Sequence, residues 1–318
     1  MEQQLTDAER IASAASSHLI HRPRAAGNDP HDPARPAGER FALAGLMPHN
    51  HPLLSDGPAR VHDPQLFVQL TRQVGTFIGR RWFRVPRNRS ARLDRLEFTL
   101  TAPDAWRTGD GPATMAMDLD VAPTATSNGT AEHLRLRATM EIDGVACGTG
   151  LAGLAFLGAP PHRAGRRSRA GTHDSGRRPG RAAPSAVGRH DPRNVVVSTP
   201  EGTGGTLTTE LVADPGNLVF FPERTGLVPD LLLVEAIRQT SLLTANRDCG
   251  FRALHTWITR ASVRLPGTAR LDLPSTCTAR VVPGDDDPGR DAVVRVSTTI
   301  HQLDDVVAEA EVSLSAVV

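Results

Sequence analysis

The chain has no lysine and no tyrosine: all 36 of its basic side chains are arginine, and aromatic residues make up 4% of its 318 positions. We read this as a GC-rich coding bias rather than as chemistry, so a lone surface arginine carries no functional meaning. Net charge is +1, which gives no global case for a nucleic-acid partner. Cysteine is scarce. Cys147, Cys249 and Cys277 are far apart and form no C-x-x-C pair, which excludes a zinc ribbon or a disulfide framework and favours reduced thiols in the cytoplasm. No apolar run approaches the roughly 20 residues needed to span a bilayer. The opening MEQQLTDAERIASAASSHLIHR lacks the basic and apolar regions of a signal peptide. The expectation is a cytoplasmic protein with no membrane, no nucleic acid, no metal and no cofactor.

What is present is globular. Hydrophobic residues make up 39% and charged residues 22%, and the length accommodates two ordinary domains. The stretch Val228–Leu243, VPDLLLVEAIRQTSLL, predicts a helix over 229–245. Pro229 costs nothing at a helix start, and Asp230 suits the positive end of the dipole. Its leucines, valine and isoleucine cover all sides, as in a helix buried within a domain. Glu235, Arg238 and Gln239 interrupt it at spacings of three and four, on one face. A carboxylate and a guanidinium inside an apolar helix must be paired, used in chemistry, or both.

A second helix is expected over 63–80, DPQLFVQLTRQVGTFIGR, where Gly75 and Gly79 cost about 1 kcal/mol each relative to alanine, so packing must hold it. Around the two helices lie strand candidates at 40–46, 93–100, 113–121, 134–157 (a hairpin turning at Asp143-Gly144), 194–198, 206–213, 253–265, 275–282, 292–302 and 306–317. Residues 1–39 read as an N-terminal extension with a short helix near 7–15 followed by loop. Residues 159–193 are rich in arginine, proline and glycine and poor in aliphatics, so they read as a disordered linker. Asp285-Asp286-Asp287 reads as a loop, and Trp82 as core.

The two halves repeat. Leu66–Gln73 (LFVQLTRQ) aligns with Leu232–Gln239 (LVEAIRQ preceded by leucine) when Gln69 is set on Glu235, and the same offset sets His51 on Asn217. Each half reads strand, loop, one long apolar helix, then antiparallel strands, which makes the chain α+β. Two such halves would join edge to edge and remove exposed strand edges. The first half spans 40–158 and the second 194–318.

A long helix opening near proline, carrying E-A-x-x-Q and followed by antiparallel strands, resembles the hotdog fold. The pattern V-P-x-L-L-L-V-E-A-I-R-Q with its upstream copy, together with His51-Pro52 and Arg193–Val197, is similar to the tandem-hotdog A-factor (γ-butyrolactone) biosynthesis family. The resemblance implies a double hotdog, with two antiparallel sheets each wrapped around one central helix. It implies an acyltransferase that joins a β-ketoacyl thioester, carried on acyl carrier protein or coenzyme A, to dihydroxyacetone phosphate. The alternatives are another thioester enzyme of this fold, a thioesterase or dehydratase, or a non-catalytic paralogue that binds acyl thioesters.

On that reading Glu235 and Arg238 are the candidate catalytic residues. Glu235 would be a base whose pKa is raised by its apolar helix, and Arg238 a phosphate contact. Gln69, Arg72, His51 and Gln239 are candidate substrate-binding residues, with Gln239 also suited to bonding neighbouring backbone and His62 a further residue that could line the cleft. Gln69 stands where the family carries glutamate, and the approach at 217–230 lacks the family's histidines. Free N–H groups at 230–232 or 65–67 are candidate oxyanion donors.

Overall fold

In a computed structural model of the chain, residues 17–22, 38–47, 51–57, 61–109, 111–158, 179–202, 204–222, 225–283 and 293–316 are described. Two long helices, α1 (Gln65–Trp82) and α2 (Asp230–Cys249), lie on one curved antiparallel sheet. Its strands are β1 (Ser17–Arg22), β2 (Glu39–Leu46), β3 (Ser90–Leu100), β4 (Thr114–Ser127), β5 (Thr130–Ile142), β6 (Val145–Leu157), β7 (Leu207–Glu210), β8 (Thr256–Arg264), β9 (Thr276–Val282), β10 (Val293–Gln302) and β11 (Asp305–Ala316).

Their order is β1-β2-β4-β5-β6-β3-β8-β11-β10-β9-β7. Read outward from the centre, β3-β6-β5-β4-β2 repeats as β8-β11-β10-β9-β7, so the internal repeat of the sequence is a repeat of topology. The halves meet where β3 pairs with β8, with Leu96 opposite Val263 and Phe98 opposite Ala261. The double hotdog expected from the sequence is therefore present, with its two sheets fused into one.

The local reasons are legible. Asp143 and Gly144 both take positive φ, 48° and 76°, the backbone that a two-residue hairpin turn needs. Every residue of α2 from Leu231 to Ala245 is buried, which its all-round apolarity demands. Gly250, at φ 72°, ends that helix, its N–H turning back to the carbonyls of Ala245 and Asn246. In α1 the two glycines are contact points. A Cβ on Gly75 would overlap the Leu154 side chain, and one on Gly79 would stand 2.6 Å from Phe156. Their propensity cost is offset because the helix can press directly on the sheet.

Several expectations need correction. α1 runs two residues and α2 four residues beyond the predicted ends; Trp82 packs on Phe41, whereas 246–249 are exposed and the helix continues until Gly250 stops it. Residues 17–22, expected as loop, form β1, paired along its length with β2; the helix expected near 7–15 lies outside the described residues. Residues 194–198 are not a strand. A 3-10 turn at Pro192–Asn194 is followed by isolated bridges, Arg181 to Ser198 and Val197 to Leu211. The linker expected to be disordered over 159–193 is ordered from residue 179, because Ala182, Val187 and Arg189 are buried against the fold. Residues 159–178 and the aspartates at 285–287 lie outside the described residues. Trp82 is partly buried against the core, its ring 4.9 Å from Phe41.

Candidate active site

Three segments converge on one carboxylate. Glu235 sits in the middle of α2 with no exposed surface, and helical spacing puts Arg238 and Gln239 beside it. Arg238 donates to Oε2 through Nε (2.9 Å) and to Oε1 through Nη2 (2.7 Å), and Gln239 Nε2 donates to Oε1 (2.6 Å). From the start of α1, Gln65 Nε2 donates to Oε2. The remaining partner is Arg189, fully buried, whose Nε and Nη2 each donate at 2.8 Å in a bidentate fork.

Arg189 arrives on a strap at 184–197 that crosses the junction of the halves. A 3-10 turn at Pro184–Val187 ends on Gly188, which takes φ 65° and whose Cβ would stand 3.1 Å from the Ala253 carbonyl. Only glycine fits there without strain. The strap is tied to the turn at 51–57. Asp56 Oδ1 accepts from the backbone N–H of His190 (3.0 Å) and Asp191 (2.8 Å), and Oδ2 accepts from Asn194 Nδ2 (2.8 Å). Arg189 Nη1 donates to the Leu53 carbonyl (2.9 Å) and to Asp63 Oδ2 (2.7 Å). Gln239 holds the far end, donating to the Asn194 carbonyl and accepting from Val196 N–H.

The ionic core is thus Asp63, Arg189, Glu235 and Arg238, two of each sign. Burial pushes the Glu235 carboxyl upward, but Arg189 and Arg238 outweigh it and hold the group down at about 2. The raised value expected for a base in an apolar helix is therefore overturned, because the flanking guanidinia dominate over desolvation. Arg189 is likewise driven above its ordinary value: burial opposes the charge, and Glu235 and Asp63 more than reverse that.

Of the residues expected from the sequence, Glu235, Arg238 and Gln239 come together. His51 is buried on the adjoining turn. Its Nδ1 accepts from the N–H groups of Leu53 (3.2 Å) and Leu54 (3.1 Å). Nδ1 therefore carries no proton, and in the neutral ring Nε2–H is the donor. His62 is buried just before α1, and its backbone N–H donates to the Trp106 carbonyl. Gln69 and Arg72 do not join the cluster. Arg72 is half exposed and lies 3.9 Å from Asp230 Oδ2, and Gln69 is buried on α1 with no hydrogen bond to Glu235 among the described residues. The N–H groups at 65–67 are not free either: Asp63 Oδ1 takes Gln65 N–H, and the carbonyls of Asp63 and Pro64 take those of Leu66 and Phe67. In α2, Leu232 N–H is held by the Pro229 carbonyl.

Beside the cluster is a narrow apolar cavity of about 20 Å³ between the helices, walled by Val68, Val234, Ile237 and Ile258, with Gln65 and Arg238 as its polar residues. That is space for one water.

Sequence reasoning missed Arg189, Asp63, Gln65 and Asp56. Arg189 was hidden by composition, one arginine among many in a stretch that reads as linker. The available signal was the apolar run Val195–Val197 close behind it, which a solvated linker would not carry.

A family model described as the A-factor biosynthesis hotdog domain matches residues 3–157 and 172–318. A 2-oxo-3-(phosphooxy)propyl 3-oxoalkanoate synthase of Streptomyces griseus is 26% identical over 243 residues, which is 75% of this chain and 78% of that protein. One of Streptomyces virginiae is 26% identical over 231 residues, 73% of this chain and 77% of that one. Among solved structures, a protein described as an oleoyl thioesterase from Lactobacillus plantarum matches with a TM-score of 0.51 at 11% identity, covering 96% of this chain and 98% of that chain. The last likeness shows the fold alone.

Proposed function

The chain belongs to the A-factor biosynthesis hotdog family, and from that premise we propose that it is an acyltransferase joining a 3-oxoacyl thioester to dihydroxyacetone phosphate. The name of the Streptomyces relatives describes the ester such a reaction forms. In that step the triose hydroxyl oxygen attacks the thioester carbonyl. The C–O bond forms, the C–S bond breaks, and the thiol of acyl carrier protein or coenzyme A leaves with the hydroxyl proton.

The observation that carries the reading is the buried Glu235 carboxylate flanked by Arg238 at one end of an apolar slot. Attack by a hydroxyl wants a carboxylate nearby to take its proton. A phosphomonoester wants a guanidinium. Glu235 is the base, Arg238 the phosphate contact, and His51 Nε2–H a donor for the carbonyl oxygen as it gains charge. A histidine with Nδ1 occupied by two backbone donors is poorly suited to act as a base, which weighs against the dehydratase alternative.

The test is direct. Purified protein incubated with 3-oxoacyl coenzyme A or acyl carrier protein plus dihydroxyacetone phosphate should yield the ester by mass spectrometry, and Glu235→Gln should abolish it. Folded protein that forms no ester with any chain length would overturn the assignment. Thiol release without the triose phosphate would point to a hydrolase instead.

A further inference from the structure

The two guanidinia on Glu235 are not equivalent. Arg189 has no exposed surface. Besides its fork on Glu235 it is bonded to Asp63 and to the Leu53 carbonyl. Its backbone neighbours His190 and Asp191 are pinned by Asp56. To leave Glu235 it would have to break contacts to both repeats. Among the described residues Arg238 is held by Glu235 and by the Val187 carbonyl alone. It is 7% exposed, lines the apolar slot, and its Nη1 makes no hydrogen bond among the described residues.

Six hydrogen bonds from Gln65, Arg189, Arg238 and Gln239 fill the carboxylate in this state. A carboxylate so paired cannot take a hydroxyl proton. We propose that Arg189 is the permanent partner of Glu235 and Arg238 the exchangeable one, so that the phosphate of an entering substrate draws Arg238 away, removing two of the six hydrogen bonds and one of the two positive charges on the carboxylate, and makes it basic only when the site is loaded. This rests on the phosphorylated acceptor assigned above.

The charge balance supports the exchange. The groups facing Glu235 are Arg189 from the strap and Arg238 from α2, with Asp63 behind Arg189 and the His51 ring on the adjoining turn. With Arg238 in place the charges of Asp63, Arg189, Glu235 and Arg238 sum to zero. With Arg238 taken by phosphate, Asp63 and Glu235 share the single charge of Arg189. Burial then favours a proton on Glu235, which is the direction a base needs. Until then a bound thioester faces a carboxylate that cannot activate water.

The experiment uses full-length protein labelled with glutamate carrying 13C at the side-chain carboxyl, the Glu235 signal being the one lost in Glu235→Gln. Adding inorganic phosphate or dihydroxyacetone phosphate should move the midpoint of its pH titration upward. Arg238→Gln should raise that midpoint without ligand and remove the response. Arg238→Lys, which keeps a cation, serves if the glutamine variant does not fold, and should blunt the response. A Glu235 signal unmoved by saturating dihydroxyacetone phosphate while ester still forms would overturn the exchange and leave the activity standing. A signal that moves in a protein that forms no ester would keep the exchange and remove the acyltransferase. A response lost in Arg72→Gln but retained in Arg238→Gln would place the phosphate elsewhere and overturn the proposal.

Discussion

α1 and α2 fill equivalent places in the two halves, but they meet their sheets by different means. The offset that sets Gln69 on Glu235 sets Gly75 on Ser241 and Ile78 on Thr244. α1 lies close on its sheet, its glycines admitting Leu136, Leu154 and Phe156. α2 meets its sheet through hydroxyls, Ser241 to Thr298 (3.0 Å) and Thr240 to Thr209 (3.1 Å), all buried. The difference extends to charge. Arg238 lies in a buried four-charge cluster, whereas its counterpart Arg72 is half exposed beside Asp230. The first half keeps the fold, and the second holds ionic chemistry in its interior. That chemistry is stable only because the first half lends it Asp63 and Gln65, so the site belongs to the pair of repeats.

The largest effect should come from removing Arg189, the group that ties the halves together. Arg189→Met leaves Glu235 buried with Arg238 alone and Asp63 buried with no guanidinium bonded to it among the described residues. Breaking a buried ion network in this way costs roughly 3–5 kcal/mol, read as a fall in the urea midpoint. A loss below about 1 kcal/mol, the range of exposed pairs, would mean that the strap merely covers the site.

The next effect is a pH dependence that only the second half should show. Glu235 is held at about 2, well below the ordinary carboxyl value of about 4.5. A depressed carboxyl stabilises the folded state above its unfolded value and loses that contribution as pH falls through its folded value. Unfolding free energy should therefore decline between about pH 4.5 and pH 2, and Glu235→Gln should flatten that decline. In the first half Gln69→Glu puts a carboxyl in a buried place where the arginine three residues on, Arg72, is half exposed and lies by Asp230 instead. Burial raises such a group, so this variant should lose stability as pH rises from 4 to 7. Equal pH profiles for the two variants would erase the distinction between the halves.

How much of this could be read in the sequence follows the same division. The helices, most strands, the hairpin at Asp143-Gly144 and the repeat were legible because periodicity and turn chemistry are local. β1 was missed because its six residues gain their strand character only from pairing with β2. Glu235, Arg238 and Gln239 were found because polar residues on an apolar helix stand out. Arg189 and Asp56 were not, since their meaning comes from contacts more than a hundred residues apart. The state of Glu235 was misjudged for the same reason. The apolar helix was visible, and the second guanidinium was not.

A smaller effect tests how each helix touches its sheet. Gly75→Ala drives a methyl into Leu154 and Leu136. Overpacking of this kind costs about 1–3 kcal/mol, although alanine is the better helix former. The matching change in the second half, Ser241→Ala, removes one hydrogen bond to Thr298 and leaves no clash, at about 1 kcal/mol. Thermal unfolding should rank Gly75→Ala as the more damaging. The reverse order would show that hydroxyl pairing, rather than close approach, is the tighter constraint.

The smallest effect is expected at Arg72. Its guanidinium is 39% exposed and 3.9 Å from Asp230 Oδ2, a long and partly solvated pair. Asp230 has a closer partner in the backbone N–H of Leu93 at 2.7 Å, so it is not left bare when the arginine goes. Arg72→Met should cost under about 1 kcal/mol, and most of that should vanish in high salt, where exposed charges are screened. Arg238→Met, at the equivalent position, should cost several times more and be insensitive to salt, because its pair is sealed from solvent. If the two arginines responded alike to salt, the buried cluster would be as wet as the surface pair, and the contrast between the repeats would rest on packing alone.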